Sequence, residues 1–449
     1  MFRKAFLLFL AVFFLSYPSL SAEQEISYDP YASILKHSEV IQPEAIHERE
    51  EKQLYQRILE QPFRPLGYGL GKTAEWIERD HMDDKAKWFF DEMKTHGINP
   101  ALRSPTEGGF GVLGPGGRIE LDKLIPVDQP FDQLDVFGGW TPNAQYAGTT
   151  VDAGGEYKIK TPFASTTHEG LIRYFRSSSE AFYGIGQNSS LGEWSVYQPE
   201  ELRLEGSLTR EFGQTAEGRA SFIYQHMNIG NGNRERVGKI KEHFRTASIE
   251  GLDGGSLIGL KTAFSHDTRD HQDDPKAGGR RALEFSYFHD TDGKDFQYVK
   301  FGGQATQFFT LFSDRRVLGL RLVAEKNQEL GGDQIPFFNL SRLGGADPKD
   351  GSELLRSYRY NRFFGEGLLS ANVEYRYSIY EYGNFSADAV GLFDVGEIFQ
   401  EFHDFGFDEL NLSYGGGLNV KFHRKTILSL SLAHGNEGSR FNIHTKASF

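Results

Sequence analysis

Residues 441–449 alternate strictly between apolar and polar: Phe441, Ile443, Thr445, Ala447 and Phe449 fall on one side, Asn442, His444, Lys446 and Ser448 on the other. A period of two belongs to β-structure. A strand oily on one face and wet on the other suits a bilayer wall, which about nine to eleven tilted residues cross. Because the sequence stops on an aromatic, this strand is expected to close a barrel.

The alternation recurs from about Thr106 onward, in segments separated by polar, glycine-rich turns. Leu202, Leu204 and Leu208 alternate with Arg203, Glu205, Ser207 and Thr209, and Leu318, Leu320 and Leu322 oppose Gly319 and Arg321. Leu369, Ala371, Val373, Tyr375 and Tyr377 oppose Ser370, Asn372, Glu374, Arg376 and Ser378, and Leu428, Leu430 and Leu432 oppose Ser429 and Ser431. Charges keep to one face, as they must where an Arg or Lys turned to mid-bilayer lipid costs about 2–4 kcal/mol. At roughly 20 residues per strand and connection, 106–449 has room for about 16 strands. The expected fold class is therefore all-β, a transmembrane antiparallel β-barrel. A supply of 51 glycines, 38 phenylalanines and 20 tyrosines fits turns and membrane interfaces. A soluble sandwich or propeller also alternates, but its apolar face points to a core.

The front of the chain agrees. Arg3 and Lys4 precede an apolar run from Ala5 to Leu15 and small residues around Ser19, Ser21 and Ala22, the layout of a signal peptide over 1–22. No later stretch reaches the roughly 18 apolar residues of a membrane helix. Residues 23–105 read as a short N-terminal helical arm without strand alternation, one helix over Pro43–Leu59 and a second from Thr73 to a stop at Gly97. Such an arm plugs the barrel or docks a periplasmic partner. The absence of cysteine excludes thiol catalysis and disulfides, and a net charge of −13 argues against nucleic acid as a partner.

Several motif matches fail in context. Gly109-Phe-Gly111-Val-Leu-Gly114 opens no helix to hold a pyrophosphate, and Gly67-Tyr-Gly69-Leu-Gly71-Lys72-Thr73 lacks both the first P-loop glycine and a buried strand before it. Asp290-Thr-Asp292-Gly-Lys-Asp295 starts like a calcium loop, but Phe301 stands at the twelfth position, so a hairpin turn is expected. His266 and His271 around Asp267, Arg269 and Asp270 read as a charged turn rather than a metal site. No nucleophile elbow or zinc spacing occurs, so neither an enzyme nor a cofactor is expected.

Seven fragments occur in a telling order: Phe182-Tyr-Gly-Ile-Gly186; Asp267-Thr-Arg-Asp270 with Pro275 and Gly278-Gly279; Arg342-Leu-Gly-Gly345; Leu355-Arg-Ser-Tyr358; Asn372-Val-Glu-Tyr-Arg376; Leu392-Phe-Asp-Val-Gly396; and Ser413-Tyr-Gly-Gly-Gly417. With Phe449 behind them, they resemble the BamA/TamA-like bacterial surface antigen superfamily, the barrel-assembly and two-partner-secretion transporters of bacterial outer membranes. The likeness spans about Phe182 to Phe449. Two features depart from the family. Ser357 stands where the sixth extracellular loop carries glycine, and 23–105 shows helices in place of the βααββ POTRA modules.

The resemblance implies an outer-membrane location, lipids and client outer-membrane proteins as partners, and a role in inserting or moving proteins or lipids. It further implies that Arg356 and Tyr358 sit in a loop folded into the lumen, where Arg356 pairs with Asp394, with Glu374 a second candidate. A seam between first and last strands, marked by Gly108, Gly109, Gly111, Phe441 and Phe449, would open to pair with a client strand. A passive channel and, behind it, an outer-membrane lipid hydrolase are the alternatives.

Overall fold

The computed structural model describes residues 92–93, 98–103, 114–124, 131–143, 148–161, 165–192, 194–232, 237–244, 249–345, 353–406 and 410–444. One sheet of eighteen strands dominates them. Two short strands, Glu180–Phe182 and Gly238–Lys239, only flank it. The others form the wall. In chain order they are β1 (Ile98–Arg103), β2 (Gly114–Glu120), β3 (Gln133–Asn143), β4 (Gly148–Lys160), β5 (Thr166–Ser177), β6 (Ser195–Phe212), β7 (Ala216–Asn231) and β8 (Gly255–Asp267). Then come β9 (Gly278–Asp290), β10 (Gln297–Leu311), β11 (Ser313–Glu329), β12 (Gly367–Tyr382), β13 (Phe385–Phe399), β14 (Asn411–Phe422), β15 (Lys425–Gly435) and β16 (Gly438–His444). Each wall strand pairs antiparallel with the next, as in an up-and-down barrel. The wall thus has sixteen strands among the described residues, in agreement with the sequence expectation.

Tight turns at 213–215, 312, 383–384 and 423–424 lie at the end where β1 starts and β16 finishes, hereafter the terminal end. The opposite, loop end carries the connection 330–366 between β11 and β12. The sheet is rolled. Laid flat at about 4.8 Å per strand, the β8–β9 turn and β14 would lie some 24 Å apart. Yet Asp274 of that turn accepts a hydrogen bond from Lys421 Nζ of β14 at 2.5 Å.

The wall's polarity is the reverse of a soluble sandwich. On β12, Ser370, Asn372, Glu374 and Arg376 are buried, while outward Leu260, Phe222, Leu283 and Leu432 each expose more than half their surface. Inside, ion pairs line the strands: Arg173 with Asp152, Arg203 with Glu205, Lys261 with Glu284 and Lys300 with Glu325. The period of two read from the sequence therefore sorts oil outward and charge inward.

One stretch of the expected helical arm differs, because Ile98–Arg103 is strand β1. Pro100 lacks a backbone N–H, which β1 tolerates on the side away from β2, its pairing partner among the described residues. The signal peptide and both arm helices lie outside the described residues apart from 92–93, as do the two glycine-motif matches before Gly114. The Asp290 segment is the expected hairpin turn, its carboxylate accepting the N–H groups of Lys294 and Phe296. His271 and Asp270 likewise serve their own turn: His271 Nδ1 accepts from Asp273 and Asp274, and Asp270 from Lys276 and Ala277.

Candidate functional site in the lumen

The connection 330–366 folds inward. Its descending limb carries a one-turn 3-10 helix, Phe337–Asn339, and the strand Ser341–Leu343, which pairs with Phe363–Gly365 of the returning limb. Apolar packing sets it at the loop end. Phe337 and Phe364 close edge-on around Phe182, at 5.3 and 5.0 Å between ring centroids. The Tyr-Gly-Ile-Gly element supplies that seat. Gly186, at φ +99°, donates its N–H to Phe364 O at 2.7 Å, and Gln187 Oε1 accepts from Ile398 N at 3.0 Å.

Beyond the apolar seat, the loop tip turns polar. Arg356 is 2% exposed, and both of its carboxylate partners, Asp394 on β13 and Glu374 on β12, are equally shut off from solvent. The guanidinium engages Asp394 through Nη2 to Oδ1 at 2.6 Å and Nε to Oδ2 at 3.0 Å, and Glu374 through Nη1 at 3.0 Å. The Arg356 N–H also donates to Asp394 at 3.0 Å. Burial works against the charge, but Asp394 and then Glu374 outweigh it and raise the guanidinium above its ordinary range. Such a fork is charge-assisted and fixed in direction.

The wall holds the rest of the tip. Asn372 Nδ2 donates to Leu354 O at 2.7 Å and to Asp394 at 2.9 Å, and Ser413 Oγ accepts from Ser357 N at 2.9 Å. On the last strand, Asn442 Nδ2 donates to Arg356 O at 3.0 Å, and His444 Nε2 lies 2.6 Å from Glu353.

A family model described as the Omp85 superfamily domain matches residues 143–424 of this chain. The chain belongs to the Omp85 superfamily. BamA from Haemophilus ducreyi lacking POTRA domains 1-3 is similar at a TM-score of 0.51 and 14% identity, covering 78% of this chain and 69% of that one. CdiB from Acinetobacter baumannii (11% identity, TM-score 0.49) covers 77% of this chain and 59% of its own. CdiB from Escherichia coli (12%, 0.49) covers 78% and 61%. No curated protein sequence matches it. What the BamA likeness carries is the fold, an outer-membrane-type barrel.

Within this Omp85 barrel the structure brings together Arg356, Glu374 and Asp394 of the residues singled out from sequence. Tyr358 goes elsewhere: it is buried among Leu343, Leu355, Phe363 and Ile398, with Phe363 at 5.7 Å between rings. Ser357 does not adopt the left-handed backbone, which falls instead to Asn361, at φ +55°. The wall makes room for its side chain, because a Cβ on Gly435 of β15 would run into Ser357 Oγ. The same Cβ would also meet the Leu412 carbonyl of β14, so Gly435→Leu is expected both to expel the tip, seen as faster hydrogen exchange of the Arg356 and Ser357 amides, and to loosen the end of the β14–β15 pairing.

Of the seam residues, Phe441 pairs with Leu432 on β15, while Gly108, Gly109, Gly111 and Phe449 lie outside the described residues. The sequence reading missed Asn372, Ser413, Asn442, His444 and Glu353 as holders of the loop. Asn372, Asn442 and His444 did stand on the polar side of their strands, which was the available signal.

Proposed function

We propose that this chain acts in the bacterial outer membrane as an assembly or translocation factor, inserting or moving outer-membrane proteins, or lipids, without covalent chemistry. The terminal end faces the periplasm, where a client or partner arrives, and the loop end faces the exterior. The loop 330–366 is a retractable plug, and the Arg356–Asp394–Glu374 cluster is its lock. The observation that carries this reading is a buried, multiply bonded arginine on a loop rather than on the wall. Permanent wall structure does not need an ion pair on a 37-residue connection between Glu329 and Gly367, and fixed buried ion pairs are poor sources of stability. A lateral seam between β1 and β16 offers strand edges to a client by β-augmentation.

Depleting the protein in its host is expected to lower the outer-membrane content of particular β-barrel proteins or lipids, measured by quantitative proteomics and lipid analysis of isolated membranes. Unchanged membrane composition, together with a large steady conductance of the purified chain in planar bilayers, would instead support a passive channel.

A further inference from the structure

A second insertion enters the lumen from the opposite end. The β8–β9 turn, 268–277, lies across the terminal end as a chord from its own strands to β12 and β14. Asp274 is its tip. The carboxylate takes Lys421 Nζ of β14 at 2.5 Å and lies 3.5 Å from Arg376 Nη1 of β12, while Arg424 Nη2 donates to Asp274 O at 3.2 Å. Arg376 Nη2 also donates to Pro275 O at 2.8 Å, and its guanidinium lies 5.1 Å from the Phe308 ring centroid. Lys421 is shared with Asp388 of β13, which accepts in turn from Ser378 Oγ at 2.8 Å. Burial would raise the Asp274 carboxyl, but Lys421, then Arg376 and Arg424, more than offset it and hold it below its ordinary range.

The two insertions share one strand. Inward side chains of β12 stand two residues apart, and each serves a neighbour in order: Asn372 and Glu374 hold the loop tip, Arg376 holds the turn, and Ser378 holds Asp388. Glu374 Oε1 and Arg376 Nε lie 3.8 Å apart. Charges therefore alternate without a break from Arg356 through Glu374, Arg376, Asp274 and Lys421 to Asp388. Removing either end leaves the next charge buried with one partner fewer, which is the costly condition in a low-dielectric interior.

We infer that the turn 268–277 is a latch across the terminal end of the lumen, coupled to the loop lock through Glu374 and Arg376 of β12. Release of one weakens the other, so the two ends of the lumen loosen together. The inference stands on this geometry and does not require the proposed transport role.

The test uses the full chain purified in detergent, with trypsin as the probe, since Lys276 lies in the turn. Wild type is expected to resist cleavage after Lys276, and its peptide 268–277 to exchange hydrogen as slowly as the adjoining strands. Asp274→Asn and Lys421→Gln are expected to raise cleavage there by about tenfold or more, as open-form populations rise when a buried charge loses its partner. Retention of the folded, heat-modifiable band on electrophoresis shows that the wall has survived. Asp274→Asn is also expected to speed exchange of the Arg356 and Ser357 amides several-fold, and Arg356→Lys to speed cleavage after Lys276. Rapid exchange of the turn in wild type, or a folded Asp274→Asn chain as resistant as wild type, would overturn the latch. An open turn beside an unaltered loop would overturn the coupling.

Discussion

Arg356→Ala is expected to destabilise the folded chain by about 3–5 kcal/mol, the cost of stripping a buried ion pair of one partner. The size follows from what remains behind. Asp394 and Glu374 are both buried, and they would face each other across the vacated site with the retained backbone N–H of residue 356, Asn372 and the Glu374–Arg376 contact in place of a full opposing charge. Two results separate this electrostatic cost from simple loss of packing. Adding Asp394→Asn and Glu374→Gln to Arg356→Ala is expected to recover a large part of the loss, because the orphaned charges go with the arginine. Arg356→Lys keeps the charge but cannot fork, and is expected to fall between wild type and alanine. The measurement is the urea midpoint of the heat-modifiable band in detergent. Conductance in planar bilayers reports the loop directly: long openings are expected for Arg356→Ala where wild type flickers. A folded Arg356→Ala chain with the wild-type midpoint and conductance would mean that the arginine does not hold the loop.

The wall was legible in sequence because its physics is local. Side chains alternate every residue along a strand, so Leu369 through Ser378 display the two faces of β12 without any tertiary information. The strand number followed from length alone, since hairpin meanders spend a nearly fixed number of residues per crossing. The lumen contents have no such period. Asn442 reaches Arg356 across 86 positions of sequence, and Lys421 reaches Asp274 across 147. Those contacts exist only once the sheet has rolled, and the roll leaves no mark on spacing. The Arg356–Asp394 pair was anticipated through a family resemblance, whereas for the turn around Asp274 the same resemblance marked the segment, from Asp267 to Gly279, but no partner for Asp274. Tyr358, which the resemblance placed in the same loop, packs there in the apolar cluster of Leu343, Leu355, Phe363 and Ile398 rather than against the carboxylates.

Leu260→Arg is expected to cost about 2–4 kcal/mol of folding into phospholipid vesicles, because a guanidinium near the bilayer midplane must be dragged to water or left in oil. Leu260 sits near the middle of β8 with 59% of its surface exposed, and its neighbour Lys261 points inward to Glu284 at 2.5 Å. An exposed leucine on a soluble protein gives the opposite forecast, since surface substitutions of that kind stay within about 0.5 kcal/mol. Register supplies the control. Moving one residue along the strand crosses the wall, so an added arginine at the inward position 259 or 263 meets water and carboxylates, although Gly259 is hemmed in by the Phe288 ring and Ala263 is the better site. Ala263→Arg is thus expected to fold into vesicles with far less loss than Leu260→Arg. The readout is the fraction of heat-modifiable chain across a urea series in vesicles. The contrast between adjacent faces, rather than either value alone, decides the matter: only a wall with hydrocarbon on its outer side penalises the same residue on one face and spares it on the other.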